Sequence, residues 1–340
     1  LQDDVSSICE LWFLQERPGR EQLIPQTITY LLVRSLSLES KANDMKRLFT
    51  IKDGFREVIY ETEASAPFIK LLQRCVVHPA YLQHGEGKKI ISYWLSFSPF
   101  LTDCIHQAVK ANFGTCKKWH VDSYAEIYYK AWKNAQGATL INIEQTCIQD
   151  FVYGAIHVKD DKLLETLTRI VKHIISQKMT NPNVEEMLDR VYGPILWRSL
   201  QVANPKVREN AVRQLALVFP LVKSAQLQRD VDSNLQSQLQ KLSDALNDTH
   251  PNVRKQAVLG VGKILSLYWD ILQQKTLEIF LDRLVMLAFD ISSYLVRESV
   301  FMAFVVILDN HLAHTTLSKI LPKLANLVFD TNDKVRYQFV

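Results

Sequence analysis

Glycine and proline are both scarce in this sequence, with 10 glycines and 11 prolines among 340 residues, or about 3% each. Average soluble proteins carry about 7% glycine and about 5% proline. Turns in β-rich folds depend on these two residues, so their scarcity argues against all-β and mixed α/β folds. Hydrophobic residues make up 47% of the chain, which is enough for a substantial core. We therefore predict a predominantly helical protein.

An excess of charge of one sign is also missing. The chain has 40 basic and 36 acidic side chains, and in successive blocks of fifty residues the two counts never differ by more than one. Nucleic-acid-binding domains often carry a basic tail or a strongly basic segment. A nucleic-acid site in this chain must therefore be a local patch on the folded surface.

Paired cysteines and long apolar runs are absent as well. The five cysteines form no C-x-x-C pair and all lie in the first half, which is typical of reduced thiols in the cytosol or nucleus. The longest uncharged run, residues 90–102, is 13 residues long, whereas a membrane span needs about 20. We predict no transmembrane helix and no membrane partner. Since the chain starts without Met and stops inside a periodic apolar stretch, we interpret it as a piece of a longer protein.

Motifs that carry catalytic chemistry are not found. The sequence has no G-x-G-x-x-G, no G-x-x-x-x-G-K-[ST] and no G-x-S-x-G. Cys75 and His78 have the spacing of two zinc ligands, but only His84 lies near enough to be a third. We expect no cofactor, no metal and no enzymatic activity.

A repeat is visible in the second half. The dipeptide Val-Arg occurs at Val207, Val253, Val296 and Val335, with spacings of 46, 43 and 39 residues, and each copy follows a short polar turn. Apolar residues recur 4, 5, 8, 11 and 12 positions after the valine, which places them on one face of a helix. Each Val-Arg helix is the second of a pair. We predict the first helix of each pair at the ranges 184–201, 235–246, 277–289 and 317–329.

Two helices per unit with a period near 40 residues are typical of HEAT and armadillo repeats. We predict an all-α fold, an α-α superhelix of the HEAT/armadillo solenoid type. It is expected to run as a single continuous solenoid over 1–340, with irregular helical repeats in 1–180 and regular HEAT repeats in 181–340. The irregular half includes a predicted helix at 43–62, and its aromatic stripe at Tyr124, Tyr128 and Trp132 has the spacing of a packed core rather than of base-stacking residues.

The repeated arginines have two interpretations. They form a phosphate-binding stripe, or they pair with the aspartates that lie six or seven residues earlier in the turns between repeats. We favour the second, a structural ladder between repeats. Its predicted residues are Asp248 with Arg254, Asp290 with Arg297, and Asp330 with Arg336.

Lysines outside the repeat pattern are better candidates for DNA contacts because no structural position demands them. An ordinary solvated helix face is the alternative for each of them. The candidates are Lys88, Lys89, Lys117, Lys118, Lys206, Lys255 and Lys263.

Several segments from about residue 70 onward resemble the HEAT-repeat G subunits of condensin II. They are the ranges 124–133, 147–151, 154–157, 184–188, 192–198, 268–269 and 307–310. The resemblance implies a subunit that binds the condensin II kleisin and, with it, double-stranded DNA in chromatin. It also implies indirect partners, namely the SMC ATPase pair and the second HEAT subunit, and a location on chromosomes in the nucleus during mitotic chromosome condensation.

A HEAT adaptor of another class remains the alternative, either a transport receptor or a phosphatase scaffold with no DNA contact. The even charge argues mildly against a receptor for basic cargo, which needs an acidic groove.

Overall fold

The computed structural model describes the backbone of residues 1–37, 41–222 and 228–339. In these ranges all regular secondary structure is helical and there is no strand, so the predicted all-α fold is confirmed. The α-helices are α1 (Gln2–Leu14), α2 (Arg20–Ser35), α3 (Lys41–Thr50), α4 (Ala66–Val77), α5 (Pro79–Gln83), α6 (Gly85–Phe97), α7 (Pro99–Asn112), α8 (Lys118–Asn134), α9 (Gly137–Asn142), α10 (Gln149–His157), α11 (Asp161–Ile175), α12 (Asn183–Ser199), α13 (Pro205–Val218), α14 (Gln228–Leu246), α15 (Pro251–Tyr268), α16 (Gln274–Leu287), α17 (Tyr294–Leu308), α18 (His314–Ile320) and α19 (Asp333–Phe339).

The chain folds into two compact units. The first comprises residues 1–151 and 161–177, and the second comprises residues 152–160 and 178–340. The division into irregular repeats in 1–180 and regular HEAT repeats in 181–340 stays a prediction. A single continuous solenoid over 1–340 stays a prediction.

In the first unit, helices stack in two rows. Helices α3, α6, α8 and α11 pack against one another in that order, and α4, α7 and α9 form a second row. The predicted aromatic stripe lies in the core, since Tyr124 and Tyr128 are fully buried and Trp132 nearly so. The predicted helix 43–62 ends at Thr50, and a 3₁₀ helix follows at Lys52–Glu57.

In the second unit, pairs of helices repeat as predicted. The second helix of each pair is α13, α15, α17 or α19, and each of these packs against the next. Of the apolar positions predicted to be buried in α13, α15 and α17, all are buried except Leu308, which is 39% exposed. The predicted helix 317–329 is only partly α-helical, because it turns into a 3₁₀ helix at Leu321–Phe329. Pro322 lies at this change, where it removes a backbone donor and crowds the preceding turn.

Close contact between the second helices requires small residues. A Cβ added to Gly260 would lie 2.8 Å from the Cβ of Ala216, and one added to Gly262 would lie 2.6 Å from the Cβ of Ala303. Helix α15 therefore approaches α13 and α17 closely, and the outward-facing side chains of these three helices form one surface.

No single helix in the described ranges is long and apolar enough to cross a membrane. Helix α17 and the segment 311–329 reach the required length and hydropathy only together, and they are bent by 113° at the break between them.

Candidate functional site

Three arginines of the second unit form ion pairs between neighbouring repeats. Arg208 donates to both carboxylate oxygens of Asp248 at 2.7 and 2.9 Å. Arg254 contacts Asp290 at 2.8 Å, and Arg297 donates to both oxygens of Asp330 at 2.7 and 2.9 Å. Each arginine therefore binds the aspartate in the turn of the following repeat.

The repeated arginines, including Arg336, also hold their own turns through main-chain oxygens. Arg254 donates to the carbonyl oxygen of Asp248 at 2.8 Å, and Arg297 does so to that of Asp290 at 2.8 Å. Arg336 donates to the carbonyl oxygen of Asp330 at 2.6 Å. In each pair predicted from the sequence, the arginine thus binds the main-chain oxygen of the aspartate and not its carboxylate. The predicted side-chain pairs were wrong, because each carboxylate is bound by the arginine of the preceding repeat. Arg208, which the predicted pairs leave out, is a member of the ladder.

The turn geometry explains this arrangement. The carboxylate of Asp290 accepts hydrogen bonds from the backbone N–H of Ser292 at 2.9 Å and of Ser293 at 3.0 Å, so it points along its own turn. Its other oxygen faces the preceding repeat, where Arg254 reaches it. Arg297, the arginine of the same repeat, lies on the side of the Asp290 carbonyl group and donates a hydrogen bond to this main-chain oxygen.

The ladder keeps its aspartates ionised. The hydrogen bond from Arg297 is the main cause that lowers the pKa of Asp330. For Asp290, burial acts to raise the pKa, but hydrogen bonds from Ser292 and Arg254 outweigh it and the pKa is lowered. Since Arg208, Arg254 and Arg297 are 9–15% exposed and bound on both sides, they are poorly placed to form a phosphate-binding stripe.

The candidate lysines of the first unit lie at the starts of two neighbouring helices. Lys88 of α6 forms an ion pair with Glu126 of α8, and Lys89 contacts Glu86 at 2.8 Å. Lys118 is exposed and contacts Glu165 of α11 at 3.2 Å, and Lys117 is exposed. Three of these four lysines are therefore already matched by a carboxylate.

The candidate lysines of the second unit lie on α13 and α15. Lys206 is 3.7 Å from Glu209 in the first turn of α13. Lys255 and Lys263 are partly exposed and lie on the same side of α15. Among the described residues, no carboxylate forms an ion pair with Lys255.

A surface that sequence reasoning missed lies on the face of the second helices that is turned away from the first helices. We call it the outer face, and it contains the residues 2, 6 and 10 positions after the repeated valine. In α17 these are Glu298, Met302 and Val306, and in α15 they are Lys255, Leu259 and Lys263. One feature of the sequence could have revealed this face. The range 294–308 has low amphipathicity, because its residues are apolar on nearly every side of the helix.

Clusters suited to metal binding are absent from the described ranges, since no group of three His, Cys, Asp or Glu side chains converges there. The candidate site is a set of helix faces and the arginine ladder between the turns.

Helix pairs that repeat every 39–46 residues, with buried faces stacked in rows and an arginine ladder between turns, define a HEAT/armadillo-type helical-repeat protein. Residues 74–223 match the family model described as "Condensin II non structural maintenance of chromosomes subunit". The resemblance inferred from the sequence is confirmed, and over its full length the chain is similar to the G2 subunits of the condensin-2 complex.

The relatives come from several vertebrates. The chain is 35% identical over 341 residues to "Condensin-2 complex subunit G2" of Mus musculus, covering all of this chain and 30% of the mouse protein. It is 34% identical over 342 residues to the protein of the same name in Homo sapiens, again covering all of this chain and 30% of that protein. The chain thus spans less than a third of the length of these relatives.

Among solved structures, one described as "Structure of the Pds5-Scc1 complex and implications for cohesin function" aligns with 98% of this chain and 51% of that chain. The sequence identity is 14% and the TM-score is 0.49.

Proposed function

We propose that this chain is a HEAT-repeat segment of a condensin II G subunit, without enzymatic activity, that binds the kleisin subunit and holds double-stranded DNA in mitotic chromosome condensation. The observation that carries the proposal is the 35% identity, over all of this chain, to a protein named condensin-2 complex subunit G2. Such a subunit acts in the nucleus, on chromosomes.

The outer face of the second unit supports a role in holding a peptide. It presents partly exposed apolar side chains at Leu259, Met302 and Val306, in helices whose opposite faces are fully buried. Stacked helix pairs offer extended surfaces of this kind, and helical-repeat proteins use them to bind other chains.

The charge distribution supports a DNA role that depends on local lysines. The ladder occupies the repeated arginines, so phosphate contacts fall to lysines such as Lys117 and Lys255. Binding through phosphates carries no sequence information and weakens steeply with salt, because each contact releases condensed counterions.

DNA affinity measured against salt concentration tests this role. With the kleisin present, we expect binding to duplexes of unrelated sequence with equal affinity, and a linear fall of log K with log salt, by about 0.9 per phosphate contact. Lys255→Glu is expected to weaken binding and to reduce this slope by about 1 or more. The matched control is Lys275→Glu, which makes the same charge change at an exposed lysine of α16.

The outcome separates the two roles. Loss of affinity in the Lys255 variant alone supports a DNA surface on the outer face. Kleisin binding without any DNA binding at low salt would leave this segment with the protein-scaffold role only.

A further inference from the structure

A groove of about 270 Å³ lies in the first unit, between α2 and the segment that leads into α4. We call it the α2 groove. Helix α2 forms one wall with Pro25, Gln26 and Thr29. The residues of the other wall are Val58, Ile59, Thr62, Ala64, Ser65 and Phe68. The volume is below the ~300–1,000 Å³ of pockets that enclose small molecules, and the groove is open to solvent, so it suits the side chains of a peptide.

The wall formed by the range 58–68 is held in place from the inside. Tyr60 is buried, and its hydroxyl donates to the carbonyl oxygen of Phe55 at 2.6 Å. The hydroxyl of Ser65 donates to the carbonyl oxygen of Tyr60 at 2.7 Å. The ring of Tyr60 also packs against that of Phe68, with 6.2 Å between the ring centroids. The α2 groove is therefore preformed, and a ligand binds without a large cost of ordering this wall.

The same wall has backbone groups without partners. Val58 and Thr62 have extended backbone conformations, and the residues between them belong to no helix. Within the described part of the chain, the backbone N–H and C=O groups of Ile59 and Glu61 form no hydrogen bond with the protein. Residues two apart in an extended segment present these groups on the same side. A second extended chain can therefore pair with Ile59 and Glu61 as it does with the edge strand of a sheet.

The side chains next to these backbone groups are acidic and aliphatic. Three exposed glutamates flank the groove residues along the chain, and in the described ranges none of the three forms an ion pair. They are Glu57, Glu61 and Glu63. The neighbouring cation, Arg56, is 3.8 Å from Asp53 and does not neutralise them. Ile59, which lies between the glutamates, is 73% exposed.

We propose that the α2 groove binds an extended, basic segment of a partner protein, in which lysine or arginine alternates with aliphatic residues. The backbone of this segment pairs with Ile59 and Glu61. Its aliphatic side chains contact Ile59 and Phe68, and its cations pair with the three glutamates. The inference goes beyond the proposed function, since neither DNA nor any residue assigned to DNA or kleisin binding takes part.

The chemistry of the groove favours this occupant over two others. Duplex DNA is repelled, because its phosphates would face the three carboxylates. In a second copy of this chain, a two-fold contact at the groove would bring the same glutamates against one another. A basic segment with aliphatic side chains matches the charge, the free backbone groups and the exposed Ile59 at once.

The test measures the binding of a fluorescein-labelled synthetic peptide, in which lysine alternates with valine, by fluorescence anisotropy. Glu61→Gln with Glu63→Gln removes two charges beside the groove. The matched control is Asp270→Asn with Asp282→Asn, which removes two charges from exposed aspartates of the second unit. Thermal unfolding of both variants is measured first, so that binding is compared only between folded proteins.

We expect the groove variant to bind the peptide at least about fivefold more weakly and the control to bind like the wild type. A peptide in which serine replaces valine is expected to bind the wild type more weakly, because it has the same charge but no aliphatic side chains. The groove variant is expected to keep the affinity of the wild type for the kleisin and for DNA.

Two variants of Ile59 test the backbone pairing. Ile59→Ala removes the aliphatic side chain and keeps the N–H group, whereas Ile59→Pro removes both. Val58 already has the extended conformation that a residue before proline adopts. We expect Ile59→Ala to bind the peptide more weakly than the wild type and Ile59→Pro to bind it more weakly still.

Three results overturn the inference. The wild type does not bind the lysine and valine peptide; the two double variants lose affinity equally, so that the attraction depends only on net charge; or the peptides with valine and with serine bind equally well. Each of these results leaves the proposed function standing, because kleisin and DNA binding are measured separately. Loss of kleisin or DNA binding by the wild type would contradict the proposed function and leave the α2 groove unaffected.

Discussion

At the residue scale, the arginine ladder joins the repeats through pairs that are largely buried. Asp290 is 8% exposed, accepts backbone hydrogen bonds in its own turn and binds Arg254 of the preceding repeat. Removing one partner of such a pair leaves the other without compensation, which costs more than the pair contributes when intact. Each aspartate therefore stabilises both a turn and a contact between repeats.

Asp290→Ala is expected to lower the free energy of unfolding by about 1 to 3 kcal/mol, because it removes both sets of hydrogen bonds. Asp290→Asn keeps an acceptor for the turn but loses the charge, so it is expected to cost less. Urea unfolding measures both variants. Asp282→Ala, an exposed aspartate on α16, is the control and is expected to change little. Equal stability of Asp290→Ala and the wild type would contradict a stabilising ladder.

The ladder also predicts a dependence of stability on pH. The pKa values of Asp248, Asp290 and Asp330 are lowered in the folded chain. Their contribution is complete above the pKa of unfolded aspartate, about 3.9, and is lost as the pH falls through the lower folded values. The difference in stability between the wild type and Asp290→Ala is therefore expected to stay constant from pH 7 to about pH 5 and to narrow below about pH 4. A difference that persists unchanged in acid would mean that the carboxylate charge contributes nothing.

The residues of the ladder were recognisable from the sequence, but their partners were not. The Val-Arg repeat and the aspartate before it are visible as spacing along the chain. Which aspartate an arginine reaches depends on how one repeat stacks on the next, because Asp248 lies 40 residues from Arg208. Spacing within one turn favours the nearer residue and gives the wrong pair.

At the scale of the elements, the close contact of α15 with α17 depends on a missing side chain. A Cβ at Gly262 would lie 2.6 Å from the Cβ and 2.9 Å from the Cα of Ala303. Because one of these atoms belongs to the backbone, a side chain there would have to push the two helices apart.

Gly262→Ala is therefore expected to destabilise the second unit by about 1 to 3 kcal/mol through overpacking, despite the gain of up to about 1 kcal/mol in helix propensity. Gly193→Ala is the matched control, since a Cβ at that position in α12 meets no atom within 4 Å. It is expected to leave stability unchanged or to raise it slightly. Thermal unfolding measures both, and a stable Gly262→Ala protein would contradict the close approach.

The sequence was enough to predict where helices occur, but not where a helix is interrupted. The buried positions of α13, α15 and α17 follow from the apolar period, as the burial of Leu215, Val261 and Phe304 confirms. The breaks at Ile51 and Leu321 lie inside stretches that keep a helical apolar pattern. The apolar pattern alone does not reveal these breaks. The 3₁₀ segments keep apolar residues buried, although their backbone conformation differs from that of an α-helix.

At the scale of the whole molecule, low glycine and proline content and a period near 40 residues were enough to predict the fold class. The first unit was harder, because its helices are irregular in length and carry no repeated dipeptide. The outer face of the second unit could not be predicted as a surface, since it exists only where α13, α15 and α17 lie side by side. Met302 and Val306 are exposed because of the way these three helices pack side by side.

Co-purification with the kleisin subunit of condensin II is the decisive experiment for the proposed function of this chain. The chain is co-expressed with a tagged condensin II kleisin and, in parallel, with a tagged kleisin of another SMC complex as the control. We expect a stoichiometric complex with the condensin II kleisin that survives size-exclusion chromatography, and none with the control. Recovery of this chain with neither kleisin would contradict it.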